Sequence, residues 1–277
     1  MKHMTIASRA LRVVPLAVLL ALPFAEGRAT QPVAAEPKDG EALAKTARAY
    51  GIEVVTTDPT FPVKTNHGKI DGKAADKKEI RVYGALFVAE FELYPPDLVT
   101  RAKLKRVVFC DELSFAGQRR NAIPDYENDT LYLDVVRGNS NRTYMRKVLH
   151  HEFFHIIDYR DDGLVYEDER WANLNPPDFK YDRGGGKGAQ GVADTSVLTD
   201  KYPGFLNHYS TTGVEEDKAE VFANLIVDVS DVADRAKKDK VLAAKVERMK
   251  ELLTEFCPEM NQQFWTKVEK VKRDDKK

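Results

Sequence analysis

The residues His151-Glu152-Phe153-Phe154-His155 set two imidazoles four positions apart with a carboxylate between them. On a helix of 3.6 residues per turn the two rings stand about 40° apart on successive turns, and Asp158 shares their side. Met145, Leu149, Phe153, Ile156 and Ile157 fall on the opposite side. One face is therefore core and the other carries both imidazoles. Two ring nitrogens one turn apart, held by packing behind them, make two-thirds of a catalytic zinc ligand set. Glu152 lies about 100° round from His151. There it reaches a water on the metal rather than the metal, as a general base must. His150 points away from this face, between Phe154 and Ile157, and reads as structural. The competing reading of the motif is a surface helix with two solvated histidines.

A catalytic zinc keeps three protein ligands and one open position. Asp161 follows His155 by six residues, but that short spacing needs a sharp turn, and Asp158 stands where a glycine would make it. Glu216 is the stronger candidate. It lies in Thr212-Gly213-Val214-Glu215-Glu216-Asp217-Lys218-Ala219-Glu220, where Thr212 and Glu215 have the spacing of a capping box. Glu216 and Glu220 share one face of the helix so started, and Ala219 and Ala223 allow close approach to the first helix. Glu216 is expected to bind zinc. Glu220, one turn on, is expected to hydrogen-bond a ligand histidine and fix its tautomer. The alternative is an acidic face turned to water.

An HExxH helix followed by a distant glutamate and a second acid four residues on resembles the gluzincin metallopeptidases. The pattern His151-Glu152-Phe153-x-His155-x-x-Asp158, with Tyr209 seven residues before Glu216 and the form Glu216-x-x-Ala219-Glu220, is similar to the anthrax-lethal-factor-like group. The whole chain also resembles bacterial zinc-binding metallopeptidases. The resemblance implies His151, His155 and Glu216 as zinc ligands, Glu152 as base and Tyr209 as the donor that stabilises the oxyanion. Asp158 and Glu220 are expected to support the ligands without binding the metal. His208 is the runner-up to Tyr209. Phe154 stands where lethal factor has glycine, and Asp217-Lys218 replace an aromatic pair.

These residues need two helices, expected over 141–161 and 214–228, and a sheet beside them. Strands are expected at 53–57, 106–110 and 130–136, the last offering an exposed edge to an extended peptide. A helix is expected over 80–94, and further helices over 231–255 and 258–271. The fold class is α+β: a zincin-like catalytic domain with a small mixed sheet beside the HExxH helix, then a mainly helical C-terminal part. The Gly-rich stretch 184–191 reads as a cleft lid or a spacer.

Residues 1–29 have the basic, apolar and small-residue order of a secretory signal peptide. The apolar run is shorter than the roughly 20 residues that span a bilayer. Residues 30–78 read as a linker and small N-terminal segment, 79–271 as the metallopeptidase domain and 272–277 as a charged tail. Export would let Cys110 and Cys257 pair, the alternative being two buried thiols. The 277 residues carry 43 Lys+Arg against 44 Asp+Glu. That balance argues against nucleic acid as partner; the resemblance to metallopeptidases implies a polypeptide substrate. The expected function is an exported, extracellular or periplasmic zinc endopeptidase. The alternative is a non-catalytic zinc-containing binding or cell-surface module derived from one.

Overall fold

Residues 39–182 and 195–273 are described in the computed structural model, and Pro37–Lys277 forms one compact unit. The expected signal peptide, residues 30–38 of the expected linker segment, the Gly-rich stretch 184–191 and the last four residues lie outside the described residues. Helix α1 (Asp39–Tyr50) ends at Gly51, whose φ of 64° suits a residue without Cβ. Strands β1 (Glu53–Val55), β2 (Val63–Thr65) and β3 (Gly68–Ala74) follow, then α2 (Lys77–Phe91) and α3 (Pro96–Arg101). The Asp76 carboxylate caps α2 by accepting from Lys78 N.

The sheet is built around β4 (Arg106–Phe115). Its first half pairs in parallel with β1 and with β7 (Thr130–Asp134). Its second half pairs antiparallel with β3 and with the short β5 (Gln118–Arg119). Strand β6 (Ala122–Asp125) pairs antiparallel with β7 and ends the order β2-β3-β4-β7-β6. Residues 53–74 thus belong to the same sheet as the strands that follow them.

Side chains alternate across this sheet. Val107, Phe109, Leu131 and Leu133 join the main core with α2 and the later helices. Val108, Cys110 and Tyr132 join Ile70, Leu113 and Ile123 in a smaller cluster. The two cysteines are unpaired. Cys110 is buried in the smaller cluster and Cys257 in the main core, so the bridge held open from sequence is absent.

Helix α4 (Val135–Ser140) follows β7 directly, because the Asp134 carboxylate accepts from Arg137 N and caps a helix where strand was expected to continue. The expected edge also moves: β7 lies between β4 and β6, and β6 ends the sheet on that side among the described residues. Helix α5 (Arg142–Asp161) carries the HExxH residues. It starts on the Asn141 side chain, which accepts from Tyr144 N. After α6 (Glu169–Ala172) comes α7 (Val214–Val227), packed directly on α5.

The helix expected over 231–255 is two helices, α8 (Val229–Ala236) and α9 (Lys240–Phe256). Asp239 breaks it: one oxygen accepts from Val241 N and Leu242 N, and the other accepts from Gly204 N. Helix α10 (Gln262–Glu269) closes the fold. The class is α+β, with a small mixed sheet beside the HExxH helix and helices after it.

Candidate metal centre

Helix α5 presents His151 and His155 to α7. Their Nε2 atoms are 3.1 Å apart, and Glu216 Oε2 lies 3.0 Å from the first and 3.6 Å from the second. All three residues are buried, and one donor atom from each falls within 4.8 Å of the others. Glu220 Oε1 is 3.0 Å from His151 Nδ1. Its other oxygen accepts from Asn207 Nδ2 at 2.6 Å and Asn224 Nδ2 at 3.2 Å. Tyr209 donates its hydroxyl to Glu216 Oε1 at 3.0 Å.

The donor set fits zinc. The Glu220 carboxylate beside Nδ1 favours the His151 tautomer that leaves a lone pair on Nε2 toward His155 and Glu216. Two imidazole nitrogens and a carboxylate oxygen this close to one another could hold a metal ion. The electrostatics agree. Burial opposes charge on His151, but Glu216 and Glu220 outweigh it and raise its pKa well above the usual range. Burial would likewise raise Glu216, yet the bonds from His151 and His155 hold its carboxyl below the usual range. Carboxylates are placed there to hold positive charge.

Glu152 lines a cleft of about 440 Å³ together with His151, His155, Tyr209 and Glu216. Enclosure raises the Glu152 carboxyl, offset in part by the charges of His151, His155 and Arg120. Burial, with Glu216 and Glu152 nearby, pushes the Tyr209 hydroxyl well up, so it remains a donor at neutral pH. The cleft's other walls come from β6 and its following turn (Ala122–Glu127), Thr65 and His67 on the β2–β3 hairpin, Phe115, and Val165 and Tyr166 after α5.

Asn121 O accepts from Asp134 N, and Ala122 stands opposite Leu133. Antiparallel alternation then turns the main-chain groups of Ala122 and Pro124 away from β7, to the edge on which no strand pairs among the described residues. Pro124 is tolerated because the N–H it lacks would point outward.

Some sequence expectations shift. Asp158 makes no bond to a ligand histidine. It meets Lys218 Nζ at 2.5 Å, and Lys218 also reaches Asp168 at 3.0 Å. Asp158 thus acts on the docking of α5 against α7. Burial raises its carboxyl to about 6 despite that lysine. The capping box does not form: Thr212 donates to Tyr209 O, and Gly213 precedes the first turn. Helix α7 has no watered face, since every residue from Val214 to Ile226 is buried. Asp217 accepts from Trp171 Nε1 and Tyr181 OH and pairs with buried Lys245 at 2.7 Å.

Asp161 is exposed and stands apart from the donor cluster. His208 stacks on Tyr202, with ring centroids 5.4 Å apart, and does not line the cleft. Phe154 is buried against Phe222. His150 bonds Tyr94 OH at 2.5 Å and Glu90 at 3.0 Å, in a buried cluster that also takes Arg146 and Arg273. Asn207, Arg120, Asp168, Trp171, Tyr181 and Lys245 gave no sequence signal, because their partners in the site lie 13 residues or more away; Asn224, one turn after Glu220 on α7, carried no motif of its own.

Two helices that bring HExxH and a glutamate together beside a mixed sheet define a metal-site scaffold of the zinc peptidase class. The family described as "Putative zinc-binding metallo-peptidase" matches residues 125–264, a span that holds β7, α5, Tyr209 and α7. The chain belongs to that family. Among solved structures it is similar to one described as a "putative zinc-binding metallo-peptidase" from Bacteroides caccae. The likeness is 15% identity and a TM-score of 0.48, covering 86% of this chain and 96% of that one. No curated protein matches the chain.

Proposed function

We propose that the protein is an exported zinc metallopeptidase that cleaves within polypeptide chains. The observation that carries this reading is the meeting of His151, His155 and Glu216 in one cleft with Glu152. His151, His155 and Glu216 would hold the zinc. Bound there, zinc would polarise the scissile carbonyl and acidify the attacking water.

Glu152 takes the proton of that water and returns it to the leaving amine. Its raised carboxyl suits a group that must accept and then release a proton. Tyr209 turns its hydroxyl from Glu216 to the developing oxyanion. Glu220 keeps His151 in the tautomer that offers Nε2, and Asp158, through Lys218, keeps the two helices in register. The open edge of β6 receives the substrate as an added strand, with Ala122 and Pro124 supplying main-chain partners. The basic, apolar and small-residue order of 1–29 supports export and removal of that segment. No helix among the described residues is long and apolar enough to cross a membrane.

The test is cleavage of a diverse peptide library by the mature protein and by Glu152→Gln, with zinc content measured on both. The variant is expected to keep its zinc and lose cleavage. Equal cleavage by both would remove Glu152 from the mechanism. Zinc without cleavage in either would favour the non-catalytic binding module.

A further inference from the structure

Arg120 lines the same cleft as Glu152 and is half-buried. Its main-chain N–H donates to Leu113 O at 2.9 Å, which ties this turn to β4. Its guanidinium donates to Gln118 Oε1 at 3.1 Å, a neutral neighbour two residues away. Among the described residues no carboxylate forms an ion pair with it.

Three of the five acids that line the cleft are engaged elsewhere, and Glu152 feels the Arg120 charge without a hydrogen bond to it. Asp125 takes both its oxygens to Asn128, Glu127 binds Asn66 and His67, and Glu216 faces the imidazoles and Tyr209. The other basic side chain on the cleft wall, His67, lies 3.4 Å from Glu127. Arg120 is therefore the cleft's guanidinium with donors to spare, and a planar fork of this kind matches a carboxylate.

Its place in the topology says which part of a substrate it meets. Arg120 stands two residues before Ala122, where the open edge of β6 begins. A peptide laid antiparallel on that edge runs from Asp125 toward Ala122, so its C-terminal portion arrives at Arg120. We propose that Arg120 is a specificity-determining residue that pairs with a carboxylate of the substrate on the C-terminal side of the cleaved bond. The carboxylate is either an acidic side chain or the free end of the chain. The proposal rests on the peptidase reading above.

The experiment uses fluorescent peptides in matched sets: Asp or Glu against Asn or Gln at each position after the cleavage site, and a free C-terminal carboxylate against the amide. Binding is read by anisotropy on zinc-loaded Glu152→Gln and on the same protein carrying Arg120→Gln. Cleavage is read in parallel on the protein with Glu152 intact. A hydrogen-bonded ion pair to Arg120 is expected to give acid-bearing peptides about a tenfold or greater advantage, collapsing in Arg120→Gln and partly restored in Arg120→Lys. In cleavage the change is expected in KM for the acidic peptides. Loss confined to the side-chain set identifies an acidic residue as the ligand; loss confined to the carboxylate–amide set identifies the chain end.

Equal binding of acidic and neutral peptides, or a preference that survives Arg120→Gln, overturns the proposal. Preference without cleavage by the intact protein leaves the Arg120 assignment standing and removes the peptidase reading. No binding by any peptide overturns both.

Discussion

Lys218 is almost fully buried, 1% exposed, and its ammonium lies between Asp158 on α5 and Asp168 before α6. Replacing it with methionine keeps most of the volume and removes the charge. Asp158, itself 1% exposed, then has no cation. Breaking a buried pair on one side costs about 3–5 kcal/mol. In a domain of this size that is roughly 10 °C in Tm.

The sign of the pH dependence follows from Asp158. Its folded pKa, about 6, is above the ordinary 3.8, and loss of Lys218 raises it further. A carboxyl raised in the fold destabilises it above the folded pKa. That penalty fades as pH falls toward the unfolded value, because the folded state takes up the proton first. The deficit of Lys218→Met should therefore be large at pH 8 and clearly smaller at pH 5. Thermal unfolding of both proteins with metal removed by chelation reads this without interference from zinc. Removing both partners, Lys218→Met with Asp158→Leu, should recover much of the loss. A Tm difference below 2 °C, or an equal difference at both pH values, would refute the reasoning that this pair docks α5 on α7.

Glu220→Gln should weaken zinc binding by about 10–100-fold, because the amide no longer anchors the His151 Nδ1 proton; competition against a chelating dye measures it, and unchanged affinity would count against that role. Gly138→Ala should lower stability by about 1–3 kcal/mol, since a Cβ there would stand 2.3 Å from the fully buried Tyr83 ring and must push it aside; urea unfolding reads the effect, and a neutral result would mean that the ring has room to move.

The parts of the fold legible in the sequence are those with short-range periodicity. Residues 142–161 announce a helix because apolar residues recur on one face and imidazoles on the other, and Gly51 and Pro95-Pro96 mark where neighbouring helices stop. The meeting of His151, His155 and Glu216 was legible because two motifs each fix their own helix face. The break at Asp239 was not, since its second oxygen is engaged by Gly204, 35 residues earlier. Nor was the edge strand: residues 122–125 are few, contain Pro124, and become a strand only through β7. The charges of α7 read most naturally as a wetted face. Their partners, Asp158 and His151 on α5, Lys245 on α9 and Asn207 before α7, come from three separate stretches of chain, so the burial of that helix exists only at the tertiary level.

Pro124 has a consequence beyond the tolerance of proline at an outward position. The sheet edge proposed to receive a peptide is also an edge on which a second folded molecule could continue the sheet. The proline leaves Ala122 able to give and accept while Pro124 can only accept. A long foreign strand therefore loses one rung of its ladder at mid-strand, whereas a peptide gripped elsewhere in the cleft can do without that rung. The residue thereby shortens the ladder that another folded strand could build on β6.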